Sequence, residues 1–172
     1  IYYFMNNNRY DGMWFQDYQQ GKGTMYYYTG DIYEGDWVND KREGQGTYTW
    51  KNGSKYEGSW KNDKKEGKGT FVWNDGCKYE GDWKNDVRDG KGTFEYANGD
   101  KYVGNFKDGM QDGKGTFTWA NGAVYEGDWK NNKREGKGIY KWSNGDVYEG
   151  DWKNNRPHGQ GSLKTVAGMQ YK

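Results

Sequence analysis

Residues 55–60 have the sequence KYEGSW, in which an aromatic residue or a glycine occupies every second position. Successive side chains of a β-strand point to opposite faces of a sheet. Tyr56, Gly58 and Trp60 are therefore predicted to share one face, and Glu57 is predicted to lie on the other. The hexapeptide predicts a β-strand with one aromatic face and one polar face.

This hexapeptide belongs to a motif that recurs every 23 residues along the 172-residue chain. In each complete unit a Trp or Phe follows the first tyrosine after four residues, a Gly-x-Gly sequence begins after eleven, and a further glycine follows after 20. A constant period without insertions predicts tandem units that pack mainly against their neighbours. The tyrosines that begin the motif are Tyr10, Tyr33, Tyr56, Tyr79, Tyr102, Tyr125, Tyr148 and Tyr171.

The repeats are predicted to form a single array over residues 1–172. Seven complete units start at residues 10, 33, 56, 79, 102, 125 and 148. Residues 1–9 match the second half of a preceding unit, and residues 171–172 match the start of a further one. Because both ends cut through units, we expect the sequence to be part of a longer protein.

Each unit contains a second alternating segment beyond a charged loop such as residues 61–66. In residues 67–73, for example, Gly67, Gly69, Phe71 and Trp73 are predicted to share one face. Asn-Gly and Asp-Gly sequences, which are typical of turns, separate several of the units. No segment has the apolar spacing of a helix. The predicted fold class is all-β: an elongated, single-layer antiparallel β-meander of tandem β-hairpins.

The turn between units decides whether all the aromatic rings share a face. A three-residue turn at residues 51–53 places Tyr48 opposite Tyr56 and puts the aromatic residues of both strands on one face. A two-residue turn puts them on opposite faces. We predict the three-residue turn, because it ends at a residue with positive φ, which glycine adopts without steric cost. Continued along the strand, this register places Trp60 opposite Gly67 inside its own hairpin.

The composition excludes some classes of function. A formal net charge of +1 argues against a nucleic-acid partner, which requires a basic surface. No apolar stretch approaches the roughly 18–20 residues that span a bilayer. Cys77 is the one cysteine, so no intrachain disulfide can form, as is typical of intracellular proteins.

The recurring Tyr-Glu-Gly-x-Trp, followed by Gly-x-Gly and a further glycine, resembles the MORN (membrane occupation and recognition nexus) repeat over essentially the whole chain. The family usually has a glycine seven residues after the tyrosine, where only Gly109 conforms, and a histidine ten residues after it, where only His158 conforms. The resemblance implies a twisted β-meander with an aromatic groove, and a binding or spacing role in the cytoplasm, the cytoskeleton or a cilium.

The aromatic face is the predicted partner-binding site. A single-layer sheet has no second layer to cover the rings, and extensive exposed aromatic surface is typical of interaction sites. The alternative interpretation is that the rings pack on one another and on the glycines as a thin core. The predicted site residues are Tyr33, Trp37, Tyr56, Trp60, Tyr79, Trp83, Tyr102, Phe106, Tyr125, Trp129, Tyr148 and Trp152.

Basic residues between the two strands of several units form a second candidate site, a ridge suited to anionic lipid headgroups. Acidic residues follow in the same segments, so a solvated edge is the favoured interpretation and lipid binding the alternative. The predicted ridge residues are Lys41, Arg42, Lys64, Lys65, Arg88, Lys133 and Arg134.

No catalytic residue, metal site or cofactor is predicted. His158 is the only histidine, and the acidic residues of the polar face recur in one repeated environment, whereas catalytic pairs need two different ones. We expect these acidic residues, such as Asp36, to pair with lysines on adjacent strands, such as Lys22 and Lys68.

The favoured function is a non-enzymatic scaffold that binds other proteins through a helix or extended peptide in the aromatic groove, within a cytoskeletal or ciliary assembly such as the resemblance implies. One alternative is a membrane-tethering or phosphoinositide-binding module. Another is the regulatory repeat region of a larger enzyme. Homo-oligomers formed through the edge strands at the two ends of the array are a further expectation.

Overall fold

The computed structural model describes residues 1–168, and of residues 170 and 171 the backbone alone. The sequence-predicted start of a further unit, at residues 171–172, includes residue 172, which lies outside the described residues. The chain divides into two compact units, Ile1–Val87 and Arg88–Lys172.

Antiparallel strands make up the regular structure of both units. Unit 1 contains β1 (Tyr2–Tyr3), β2 (Arg9–Phe15), β3 (Tyr18–Tyr26), β4 (Ile32–Val38), β5 (Lys41–Thr49), β6 (Lys55–Lys61), β7 (Lys64–Val72) and β8 (Lys78–Lys84). Strand β9 (Val87–Glu95) begins at the last residue of unit 1, and unit 2 continues with β10 (Lys101–Lys107), β11 (Met110–Thr118), β12 (Val124–Lys130), β13 (Lys133–Lys141), β14 (Val147–Lys153), β15 (Arg156–Lys164) and β16 (Gln170–Tyr171).

Within each unit, successive strands pair antiparallel in chain order. The predicted fold class, an all-β antiparallel meander of tandem β-hairpins, is confirmed. The part of the chain that the structure describes contains no helix long and apolar enough to cross a membrane.

The turn between successive hairpins has the predicted three-residue form. The N–H of Trp50 donates to the carbonyl of Ser54 over 2.9 Å, and Gly53 has a φ of 90°. Tyr48 consequently lies opposite Tyr56. Because paired residues share a face, the aromatic residues of adjacent strands lie on the same face of the sheet in each unit.

The turn inside each hairpin differs from the prediction. Asn62 and Asp63, with φ of 47° and 67°, form a two-residue turn between β6 and β7 in place of the predicted charged loop. Asn and Asp adopt positive φ more readily than other non-glycine residues, so they can form this turn. Trp60 therefore lies opposite Lys65, and the prediction that it faces Gly67 is wrong. A β-bulge at Gly67, whose φ is 78°, accommodates the remaining residues.

The core of each repeat forms where a tyrosine ring lies across two glycines. Gly58 and Gly69 face each other in neighbouring strands, and the ring of Tyr56 covers both. A Cβ at Gly69 would lie 2.5 Å from Cζ of Tyr56. The Tyr56 hydroxyl donates to the carbonyl of Ser59 over 2.9 Å, and the side chain is fully buried. The absent side chains of the glycines thus provide the space that the ring fills.

Trp60, four residues after Tyr56, connects its repeat to the preceding one. Trp60 packs edge-on against Tyr56 and against Tyr33 of the preceding repeat, with ring centroids 5.1 and 5.3 Å apart. Its Nε1–H donates to the carbonyl of Gly46 over 3.0 Å. Trp60 is therefore shared between two repeats, which is the packing expected of a tandem array.

The buried tyrosines lead to a prediction about alkaline pH. Burial, with a smaller contribution from the Asp40 carboxylate, raises the pKa of Tyr10 to about 12, and burial also raises the pKa of Tyr33, Tyr56 and Tyr125. In the unfolded chain a tyrosine ionises at about pH 10. The contribution of the buried, neutral Tyr10 to the stability of the fold is therefore complete below about pH 10 and is lost as the pH rises through its folded pKa of about 12.

Thermal unfolding followed by circular dichroism at increasing pH tests this expectation. The Tm should be nearly constant up to about pH 10 and should fall above it. Tyr10→Phe is the control, because it removes one of the ionising groups and should make the decline shallower. A Tm that stays constant up to about pH 12 would contradict the prediction.

Turn residues also connect consecutive hairpins. Oδ1 of Asp63 accepts a hydrogen bond from the N–H of Arg42 over 2.9 Å, and Oε2 of Glu43 accepts one from the N–H of Asn62 over 2.9 Å. Asp63 and Glu43 occupy the positions where the MORN family usually has glycine and histidine. The departures from the family pattern therefore supply hydrogen bonds between neighbouring repeats.

Candidate partner-binding face

The predicted site residues form the core of the structure, and we call them the inner row. Tyr33, Tyr56, Tyr79, Tyr102 and Tyr125 have no exposed surface; Trp37, Trp60, Trp83, Phe106, Trp129 and Trp152 are at most 6% exposed; Tyr148 is half-buried. The prediction that these rings form an exposed contact surface is therefore corrected. Neighbouring rings and glycines cover them, as in the alternative interpretation of a thin core.

A second row of aromatic residues is the accessible part of this face. These residues lie 17 positions after the first tyrosine of each unit, and Trp142 is the most exposed of them at 38%. The alternation in residues 67–73 places Trp73 on the aromatic face, but none of these residues was predicted as a site, although their recurrence every 23 residues could have identified them. We call them the outer row: Tyr27, Trp50, Trp73, Tyr96, Trp119 and Trp142.

Rings between the two rows make the outer row continuous within each unit. In unit 1, Trp50 contacts Tyr48 and Phe71, with ring centroids 4.4 and 5.0 Å apart. In unit 2, Trp119 contacts Tyr140 at 5.2 Å. Because Trp50 and Trp119 are only half-buried, each unit presents a strip of apolar aromatic surface to solvent.

Four of the seven residues of the predicted basic ridge lie among the aromatic rings. The two-residue turn places the ninth residue after each tyrosine opposite the tryptophan, as Arg42 is placed opposite Trp37, and therefore on the aromatic face. The half-buried residues are Arg42, Lys65, Arg88 and Arg134. The prediction of one continuous ridge is wrong for these four. Lys41, Lys64 and Lys133 are exposed, and their contact with lipid stays a prediction.

Arg42 shows how a cation is held on this face. Its guanidinium carbon lies 4.6 Å from the ring centroid of Trp60 and 5.3 Å from that of Tyr48. Its Nε lies 3.1 Å from Oδ1 of Asp63, and its Nη2 donates to the Asp63 carbonyl over 2.9 Å. Aromatic faces and carboxylates both attract cations. We call this arrangement of two or more rings and a turn residue the cation cage.

In later repeats the rings of the cation cage are present, but the turn residue differs. Burial lowers the pKa of Lys65, although the nearby Asp86 carboxylate acts in the opposite direction. Burial also lowers the pKa of Arg134. The guanidinium of Arg134 lies 4.6 Å from the ring of Trp152, and its Nη2 donates to the carbonyl of Asn155 over 2.8 Å. The rings and a backbone carbonyl are therefore sufficient to hold a guanidinium where the turn carboxylate is absent.

The opposite face is polar, and its carboxylates pair with lysines on adjacent strands as predicted. Nζ of Lys22 lies 2.6 Å from Asp36, and Nζ of Lys68 lies 2.5 Å from Asp82. Burial by itself would raise the pKa of Asp36, but the hydrogen bonds from Lys22 and from the N–H of Gln45 hold it below its ordinary value. These pairs are exposed, so each contributes about 1 kcal/mol or less to stability.

The described residues contain no group of three or more His, Cys, Asp and Glu side chains placed to hold a metal ion. His158 lies in β15 and is exposed.

The periodicity of the fold agrees with a known family model. The model of the MORN repeat matches residues 10–32, 33–55, 56–78, 79–101, 102–124, 125–147 and 148–169. The chain belongs to the MORN repeat family. The resemblance stated from the sequence is thus confirmed for seven consecutive MORN repeats. No curated protein sequence matches this MORN array.

Solved structures share the fold of the MORN array at low sequence identity. The TCP domain of SAS-4 (dCPAP) of Drosophila melanogaster, solved in complex with a proline-rich motif of Ana2 (dSTIL), is 16% identical, with 88% of this chain and 82% of that chain covered and a TM-score of 0.53. The G-box domain of the microcephaly protein CPAP is 11% identical, with 99% of this chain and 94% of that chain covered and a TM-score of 0.50. At this identity the likeness shows the fold alone.

Proposed function

We propose that this MORN array is a non-enzymatic scaffold that binds an extended or helical segment of a partner protein along the outer row. The observation that carries the proposal is the continuous strip of half-exposed aromatic rings in each unit. Trp and Tyr are enriched among the residues that dominate binding energy at protein interfaces. A strip made of these residues is therefore suited to a protein partner.

The spacing of the outer row favours an extended segment. Each repeat contributes two strands, so rings of the outer row recur about every 10 Å along the sheet. A polyproline II segment advances about 3.1 Å per residue, so every third side chain recurs after about 9 Å. One ring can thus receive one side chain of every three in the partner.

Another protein with this fold provides an example of such binding. The SAS-4 TCP domain is solved with a proline-rich motif of Ana2, and that interaction belongs to that domain. For the present chain, the support comes from its own outer row. The setting we propose is a cytoskeletal assembly, ciliary or centriolar, and imaging of the tagged protein against axonemal and centriolar markers tests it.

Peptide selection tests the proposed function directly. Peptides displayed on phage are selected against the full chain, and the affinity of a selected peptide is measured by calorimetry. We expect the double variant Trp50→Ser/Trp73→Ser to weaken binding about tenfold or more. The matched control is Val38→Ser/Val72→Ser, because these valines are each 40% exposed on the opposite face of the same unit.

Two outcomes would contradict the proposal. One is a selected peptide whose affinity is the same for the outer-row variant and for the valine control. The other is tight, salt-sensitive sedimentation with anionic liposomes that is lost when Lys41, Lys64 and Lys133 are replaced by Glu. The second result would favour the membrane-tethering alternative.

A further inference from the structure

A cavity of about 700 Å³ opens on the aromatic face of unit 1. Its lining includes the rings of Phe4 and Trp14, the side chain of Met25 and the carboxylates of Asp17 and Asp40. Aromatic faces and carboxylates favour a cation. None of the described residues that line the cavity carries a positive charge.

The next repeat shows which group the cavity lacks. Gln19 occupies the position of Arg42, and Asp40 occupies the position of Asp63. Oδ1 of Asp40 accepts from the N–H of Gln19 over 2.7 Å, just as Oδ1 of Asp63 accepts from the N–H of Arg42. The turn and the carboxylate of the cation cage are therefore present in the first repeat, whereas the guanidinium is not.

The amide of Gln19 provides an independent indication of a ligand. Gln19 is 4% exposed, and its Nε2 is buried without a hydrogen-bond partner. Gln111 occupies the same position in unit 2, where its Nε2 donates to the hydroxyl of Tyr96 over 3.2 Å. Phe4, in the partial unit before the first repeat, occupies the position of Tyr96 and has no hydroxyl. Leaving a buried polar group without a partner is unfavourable, so a ligand that bonds to the amide is favoured.

We infer that this cavity is a cation cage, and that it binds the guanidinium of an arginine side chain carried by the partner segment. The assignment of the arginine to a protein segment rests on the proposed function. The guanidinium donates to Asp40 as Arg42 donates to Asp63. A half-turn of the Gln19 amide presents Oε1 as an acceptor for a second N–H. Arginine suits the cage better than lysine, because its planar fork stacks on a ring and bonds to two acceptors at once.

Phe4, which lines the cage, lies 23 residues before Tyr27 and therefore occupies the position that precedes the outer row by one repeat. An arginine in the cage would therefore place the following residues of the partner along the outer row of unit 1. The cage would set the register of the segment, because it has a charge and a shape that the apolar rings lack.

A titration of the full chain with N-acetyl-arginine N′-methylamide, followed by the NMR signals of the Trp14 indole and the Gln19 amide, tests the inference. We expect saturable shifts, and we expect the uncharged citrulline analogue to bind about tenfold more weakly. Asp40→Asn should also weaken arginine binding. The fold should be retained in this variant, because Asn132 and Asn155 make the same hydrogen bond to the backbone at 2.8 Å.

A second variant supplies the cage with its own guanidinium. Gln19→Arg should abolish the arginine-induced shifts and raise the Tm, because it recreates with Asp40 the arrangement of Arg42 and Asp63. Gln111→Arg is the matched control and should leave arginine binding in unit 1 unchanged. Equal binding of the arginine and citrulline probes, or arginine binding that survives in Gln19→Arg, overturns the inference.

The outcome is separable from the test of the proposed function. A selected peptide that binds through the outer row, together with no binding of the arginine probe, contradicts only the cage. Arginine binding at the cage, together with peptides that are insensitive to the outer-row variants, contradicts only the scaffold proposal.

Discussion

Replacing Gly69 by alanine is expected to lower the free energy of unfolding by about 3 kcal/mol, the upper end of the usual range for overpacking a core. A Cβ at this position would overlap the hydroxyl of Tyr56 and would lie 2.5 Å from its Cζ. The ring cannot move away easily, because it also covers Gly58 and its hydroxyl donates to the carbonyl of Ser59. In a tandem array this damage extends to the neighbouring repeats, because their rings pack on the displaced one.

Gly53→Ala is the matched control for this prediction. Gly53 has a φ of 90°, and no atom lies within 4 Å of a Cβ built on it, so alanine there meets only a conformational cost of about 1–2 kcal/mol. Urea unfolding of both variants measures the difference. Equal losses at the two glycines would show that the Tyr56 ring accommodates an added methyl group at Gly69, and would contradict the close fit described for it.

Trp60→Ala is expected to cost about 3–5 kcal/mol, the range for truncation of a buried aromatic side chain. Trp60 is 5% exposed and packs against Tyr56 and Tyr33, which belong to two consecutive repeats. Its removal leaves a cavity between the repeats and also leaves the Gly46 carbonyl without the Nε1–H donor. Urea unfolding measures the loss.

Trp60→Phe separates the two contributions. Phe106 occupies the same position in another repeat and packs against Tyr102 with ring centroids 5.1 Å apart, so phenylalanine fits the site. We expect Trp60→Phe to cost about 1–2 kcal/mol, which reflects the lost hydrogen bond and the smaller ring. A loss as large as that of Trp60→Ala would contradict the packing described for the inner row.

The strands and the turn between hairpins were predictable from the sequence, because both follow from local rules. The alternation in residues 55–60 determines which side chains share a face, and glycine at position 53 permits the three-residue turn. The turn inside the hairpin was not predicted, because Asn62 and Asp63 adopt positive φ without being glycine. The bulge at Gly67 follows from that turn.

The aromatic face was predicted from the sequence, but which of its rings are accessible was not. The sequence identified the aromatic face, and the structure shows that its inner row is core and that the outer row, such as Trp50 and Trp119, is accessible. Arg42 and Lys65 were placed in a solvated ridge, and the structure places them against ring faces. Both differences concern contacts between repeats, which the pattern within one repeat does not contain.

The 23-residue unit, the two faces of each strand and the register between hairpins follow from the amino-acid sequence, because a side-chain period of two and the turn length define these without reference to distant residues. How deeply each ring is buried and which cations it contacts depend on how the repeats pack together. Depth depends on the rings and glycines of the adjacent repeats. The same packing leaves Gln19 and Asp40 facing a cavity where the next repeat has Arg42.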